Sequence, residues 1–477
     1  MALDIAEPVC ISPNQFDMEK HFYPKVLNAQ INPLIRHFIH MSNERIVSRY
    51  CHLNPHTNAD ALRHILSQNC RHLPWAGCDL MHVTNAFGHR QMVVIETNSS
   101  PSGQKSMPIV DEEQESNGYG RVIRSLVAPY AKKRKLGILA VLFDKNFMEA
   151  SGYAAAMAEE LNEDVWLIPC EDQGPSFLHY DGHQLFLNFD NQIVPIRFAY
   201  RYVTQRPWNR IPIYSKTAVI NPIVGCLAGG RNKALAAKAY DLYNAKVLPL
   251  GLKINTPQTI WDVHFEEVPI WLERLGGFAA IKVPYSNAGQ GVYTVTSDAE
   301  FERFRAEDNR LYDRYIVQSL IGHYQWSSGL NDTERLFHVG TIPNKHGQIF
   351  VSDLRMMVSF TPNGWRPIAM YARRTRKPLQ STVNHDSWDM LGTNLSIKDT
   401  KGNWSTESNR LLLMDERDFN RLGLSIDELI EAYVQTVMAV QSINEMGNHL
   451  VNSKKKLRRR LFASMVNDIR LSDEVMG

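Results

Sequence analysis

The sequence predicts a mixed α/β protein assembled from α+β subdomains, and three patterns carry that expectation. Residues 136–143, 150–161 and 165–169 follow one another as apolar strand, helix and apolar strand, the spacing of a parallel βαβ unit. Residues 78–83 and 92–95 are apolar runs separated by the turn-like Asn85-Ala86-Phe87-Gly88, which reads as a hairpin. Residues 278–284 form an apolar strand that enters a run of small residues ending at Gly291, after which a second strand begins at Val292.

In order along the chain, four blocks emerge. Residues 1–120 open with aromatic and Asn-Pro-rich sequence, pass a helical stretch near 60–67 and end in the hairpin. Residues 121–215 hold the βαβ unit, completed by the turn at Tyr180-Asp181-Gly182 and an apolar strand over 193–200. Residues 216–400 hold the glycine-rich loop and the strands around it. Residues 401–477 are helical: Ser425-Ile426-Asp427-Glu428 is a capping box, and Leu429, Ile430, Tyr433, Val434, Val437, Met438 and Val440 form an apolar stripe. That stripe is expected to pack on the first block or on a second subunit, which leaves a homodimer open.

Two of these blocks carry chemistry. Glu96 and Asn98 close the second hairpin strand, and residues two apart on a strand share a face, so a carboxylate and an amide oxygen are offered together to a hard cation. Asp79, on the first strand, is expected beside Glu96 as a third oxygen donor. Lys282 ends the strand before the loop, where its point charge reaches phosphates that the backbone of small residues can approach. The loop is neither a Walker A sequence nor a dinucleotide fingerprint, because no Gly-Lys-Ser/Thr follows it and no G-x-G-x-x-G opens a helix.

Asp79 with Glu96-x-Asn98, and Lys282 with the loop to Gly291, resemble the ATP-grasp ligases, whose metal site reads Asp and then Glu-x-Asn and whose phosphates lie under a glycine-rich lid. In that family the metal motif closes the nucleotide-binding domain; here it comes first, so the resemblance implies a circularly permuted ATP-grasp fold. It further implies a small parallel α/β domain ahead of the nucleotide-binding part and a C-terminal helical segment. By the same resemblance, Lys233 and Lys282 reach the phosphates, Ser286, Ala288, Gly289, Gln290 and Gly291 cover them, and Gln318 and Leu320 lie on the strand holding the adenine. The family more often has glutamate at the position of Gln318, so a side-chain role there is open. Arg355, in Asp353-Leu354-Arg355, and Arg374, beside Arg373, are the implied catalytic arginines. Asp389 and Asn394 offer a competing metal motif, but they are five apart, which on a strand sets them on opposite faces.

The activity so implied is ATP-dependent joining of a small-molecule carboxylate, such as an amino acid or peptide, to an amine. It would proceed through an acyl phosphate with Mg²⁺, or Mn²⁺ in its place. Arg197 and Arg201 are candidates to bind the carboxylate, with surface arginines the plainer reading. A nucleotide-binding module without catalysis, or a binder of anionic polymers using the basic run 454–460, are the alternatives. The net charge of +2 gives no footing for a nucleic-acid partner. No apolar run approaches the roughly 18 residues of a membrane span. No charged and apolar leader opens the sequence, so a cytoplasmic protein is expected. Six scattered cysteines fit free thiols, and Cys70, His72, Cys78 and His82 match no common zinc spacing.

Overall fold

The structure, a computed structural model, describes residues 7–111, 113–131, 136–172, 176–285, 291–307, 312–383, 386–398 and 404–476. Strand β1 (Val9–Ile11) is followed by helices α1 (Pro33–His40), α2 (Asn43–Leu53) and α3 (Ala59–Ser67). Each of these helices begins at a polar cap: the side chains of Asn32, Ser42 and Asn58 accept the backbone N–H of Leu34, Arg45 and Ala61. The hairpin follows as β2 (Trp75–Asn85) and β3 (Arg90–Ser99). Its turn is fixed by Asn85, whose side-chain oxygen accepts from Phe87 and His89 N–H at 3.0 Å each.

The expected βαβ unit is β4 (Ile138–Phe143), α4 (Phe147–Leu161) and β5 (Val165–Pro169), with β4 and β5 parallel. β6 (Leu178–Tyr180), β7 (Leu185–Phe189), β8 (Gln192–Tyr202) and β9 (Ala218–Ile220) extend it into a seven-stranded sheet of order β1-β5-β4-β8-β7-β6, with β9 on β8. Residues 9–11 thus join the sheet of the block that follows them. Trp75, fully buried at the start of β2, packs on Tyr153 of α4 and Tyr200 of β8 at ring distances of 5.2 and 5.1 Å. That aromatic cluster ties the hairpin to the α/β sheet.

Helix α5 (Lys233–Val247), capped by Asn232, leads to β10 (Thr259–His264), β11 (Ala279–Lys282), β12 (Val292–Val295) and β13 (Arg314–Ser319). These four strands form an antiparallel sheet, β10-β13-β11-β12, with its own apolar core around Ile281, Phe304 and Val317. The chain continues through β14 (Leu336–His338), β15 (Ser352–Thr361), β16 (Gly364–Arg374), the small hairpin β17 (Ser396–Lys398) and β18 (Trp404–Thr406), and β19 (Leu411–Leu412). A six-stranded sheet gathers β14-β2-β15-β16-β19 with β3 on β2. Helix α6 (Ile426–Leu450) begins at the expected capping box and contacts β2, β3 and β15. Its whole apolar stripe is buried within the chain, so no second subunit is needed to cover it.

Candidate active site

The site is assembled by register. Asp79 pairs with Glu96 across β2 and β3 and with Arg355 across β2 and β15, and Asp353 pairs with Arg373 across β15 and β16. Residues opposite one another on antiparallel strands share a face, as do residues two apart, so these five side chains stand on one surface of the sheet. Arg355 grips Asp79 in a bidentate bridge, Nε to Oδ1 at 2.6 Å and Nη2 to Oδ2 at 2.7 Å. Arg373 adds a contact of 2.9 Å to the same carboxylate while donating through Nε to Asp353 at 3.0 Å. Burial works to raise the Asp79 carboxyl, but the two guanidinium groups outweigh it and hold it well below the ordinary carboxylate range.

Opposite this surface lies the four-stranded sheet, and a cleft of about 1040 Å³ separates them. Lys282, at the end of β11, and Lys233, at the first turn of α5, face Glu96, with Lys233 Nζ 3.5 Å from Glu96 Oε1. The backbone N–H of Lys233 donates to Pro284 at 2.9 Å, which joins α5 to the end of β11. Burial lowers the Lys282 ammonium to about 8; Lys233 adds to the fall and Glu96 opposes it. Apolar side chains including Met81, Ala280, Leu320, Ile321 and Leu391 also line the cleft, together with Gln318 and His338. Burial takes the His338 imidazole down to about 4, so it is neutral at physiological pH. The cleft therefore combines cationic groups suited to phosphate with apolar side chains suited to an aromatic ring.

The segment after β3 is held by buried polar contacts. Glu149 of α4 is fully buried and accepts from the Ser102 hydroxyl at 2.5 Å and from the backbone N–H of Gly103 and Gln104 at 2.7 Å each. Arg231 donates to Asn98 Oδ1 at 3.2 Å and to the carbonyls of Ser99 and Ser100. Asn98 is thereby oriented with its amide oxygen beside a guanidinium and its Nδ2 buried without a hydrogen-bond partner among the described residues.

No protein-family model and no curated protein matches the sequence. Among solved structures, the chain is similar to ATP-grasp proteins. One is a RimK domain protein ATP-grasp from Sphaerobacter thermophilus, at 12% identity and a TM-score of 0.29, over 49% of this chain and 89% of that one. A second is a glutathione synthetase-like effector from Globodera pallida, at 9% identity and a TM-score of 0.37, over 77% and 88% of the two chains. A third is D-alanyl-alanine synthetase A from Vibrio cholerae, at 11% identity and a TM-score of 0.31, over 50% and 88%. Likeness at that level leaves the reading of the site to its own residues.

Of the residues singled out from sequence, Asp79, Glu96, Asn98, Lys233, Lys282, Gln318, Leu320 and Arg355 all line the cleft. Gly291 lies instead against Val283, in a neighbouring cavity. Ser286, Ala288, Gly289 and Gln290 lie outside the described residues. Arg374 does not line the cleft: strand alternation turns it to the opposite face, over the Phe350 ring at 4.8 Å, and Arg373 takes the inward place. Arg197 is bound to Glu163 at 2.5 Å, and Arg201 is fully buried on the carbonyls of Asn221 and Val203, so both are structural. Asp389 faces Lys377 at 2.8 Å, away from the cleft, although Asn394 lines it.

Arg231, Lys145 and His338 line the site without having been singled out from sequence. Arg231 had a signal, since it immediately precedes the Asn232-Lys233 pair already singled out. Lys145 and His338 had none, because each reaches the site through strand pairings that no local pattern shows.

Proposed function

We propose that this chain is an ATP-grasp carboxylate–amine ligase with a circularly permuted order. The observation that carries the reading is the row Glu96, Asp79 and Arg355 across three paired strands, facing Lys233 and Lys282 over one cleft. Permutation is supported by strand order: β2 and β3 reach the sheet of β15 and β16 from the N-terminal side of the chain.

The apolar side chains of the cleft would take the adenine and the lysines the polyphosphate. Glu96 and Asn98 share one face of β3, but Arg231 holds the Asn98 amide oxygen in this arrangement, so Glu96 is the hard-oxygen donor that would hold Mg²⁺ or Mn²⁺. Both Asp79 oxygens are engaged by arginines, so Asp79 fixes Arg355 in this arrangement. Among the described residues, no three His, Cys, Asp or Glu side chains are placed to hold a metal by themselves. A cation held there would supply charge neutralisation to the polyphosphate.

A substrate carboxylate oxygen attacks the γ-phosphorus, the bond from that phosphorus to the bridging oxygen breaks, and ADP leaves. The amine nitrogen then attacks the acyl carbon, phosphate departs with the C–O bond, and the amine loses a proton to solvent. Arg355, beside the reacting oxygens, would stabilise negative charge in both steps, because a fixed guanidinium in a water-poor site needs no reorganisation as charge develops. No covalent enzyme intermediate is required. The test is ADP release by the full chain with a panel of carboxylic acids and hydroxylamine, which traps an acyl phosphate as a hydroxamate. Hydroxamate that depends on ATP and is abolished in Lys282→Met supports the reading; ADP release without hydroxamate from any acid refutes it.

A further inference from the structure

Beside the nucleotide-type cleft lies a second cavity of about 1650 Å³. It shares Asn98, Arg231, Arg355, Arg373 and Asn394 with that cleft, so the two are continuous at the row of arginines. Its far wall brings in Lys105, from the segment after β3, and Lys145, from the loop after β4. The C-terminal ends of parallel strands are where α/β sheets characteristically bind ligands, and β4 is flanked on both sides by parallel neighbours.

The charge balance of this chamber is one-sided. Among its described lining residues there are two lysines and three arginines, Lys105, Lys145, Arg231, Arg355 and Arg373, and no aspartate or glutamate. Arg355 and Arg373 are already matched by Asp79 and Asp353. Lys105 is buried, donates among the described residues only to the neutral Asn146 Oδ1 at 3.2 Å and lies over the Tyr23 ring at 5.1 Å. Lys145 has no hydrogen bond or ion pair among the described residues. Burial, and next Arg231, lower its ammonium to about 8, a cost that an incoming anion would offset. Asp144 and Glu96 oppose that fall without forming an ion pair with Lys145, so a half-buried ammonium is left for which an incoming anion would be stabilising.

We propose that this chamber selects an acid substrate carrying two anionic groups: one carboxylate held at Arg355 for activation, and a second carboxylate or a phosphate held by Lys105 and Lys145. This rests on the ligase reading for the first group.

The experiment compares butyrate, glutarate and 3-phosphoglycerate in the hydroxylamine assay with the full chain, and measures their binding by calorimetry in the presence of ADP and Mg²⁺. Dianions are expected to saturate at far lower concentration than butyrate, with glutarate favoured if the second group is a carboxylate and 3-phosphoglycerate if it is a phosphate. Lys145→Met and Lys105→Met are each expected to raise KM for the dianion about tenfold or more, the loss of one charge-assisted contact. ADP affinity should stay within about twofold in both, and Lys145→Arg should restore much of the loss. Dianion binding that is lost in Lys145→Met without any hydroxamate would sink the ligase reading and leave the anion chamber standing. Equal use of butyrate and both dianions, with lysine variants indistinguishable from the parent, overturns the proposal.

Discussion

Asp79→Asn and Glu96→Gln remove one negative charge each from adjacent positions of one sheet, yet the structure predicts different consequences. The Asp79 side chain is 11% exposed and holds Arg355 by two short bonds, so its loss strands a buried guanidinium. Breaking one side of a buried ion pair costs about 3–5 kcal/mol, and at roughly 2–4 °C per kcal/mol for large domains the melting temperature should fall by about 10 °C. Arg373 keeps Asp353 as its partner, which places the cost on Arg355. The Glu96 side chain is 27% exposed and sits 3.5 Å from Lys233, a looser pair in reach of solvent. Its loss should cost about 1 kcal/mol or less, while its effect falls on the Mg²⁺ and ATP dependence of turnover. The assay is thermal melting of the full chain without nucleotide, followed by ADP release as a function of Mg²⁺. Equal and small melting shifts for the two variants would refute the assignment of Asp79 as the anchor of Arg355 and return it to the metal.

Arg373→Ala should be strongly destabilising because it abandons the buried Asp353, whereas Arg374→Ala should cost under about 1 kcal/mol, the scale of an exposed cation–π contact; the ranking is read by melting and by ADP release. Gly103→Ala puts a Cβ 2.6 Å from Met357 Sδ and 2.7 Å from the Tyr371 ring, on which Arg355 stacks, so about 1–3 kcal/mol of stability and most of the turnover should be lost. Burial, with Glu428 nearby, raises the Glu431 carboxyl on α6 from its ordinary value of 4.5 to about 7. The folded state then binds more protons than the unfolded between those values, so stability falls as pH rises from 4.5 to 7. Glu431→Gln should accordingly raise the melting temperature at pH 8 and leave it near the parent value at pH 4.5, and an equal shift at both would contradict the burial argument.

Local pattern was enough to set the pieces of the fold and part of the site. Alternation and the Asn85 turn specified the hairpin and its register as far as Leu80 opposite Val94, because a hairpin's register follows from its own turn and strands; a bulge beyond that pair shifts the register by one residue and sets Asp79 opposite Glu96 rather than Ile95. The βαβ unit and the capping box of α6 were legible for the same reason. Tertiary structure decided which partners those side chains take. Asp79 meets Arg355 at a separation of 276 residues, through a strand pairing that no local periodicity encodes. That pairing sets the Asp79 carboxylate, expected at a metal, against Arg355 and Arg373, and the same sheet brings Arg373 rather than Arg374 to the cleft by pointing alternate residues to opposite faces. The cationic chamber belongs wholly to this level, since Lys105, Lys145, Arg231 and Arg355 converge on it from four separate segments, and a convergence of that kind is set by chain folding and not by local pattern.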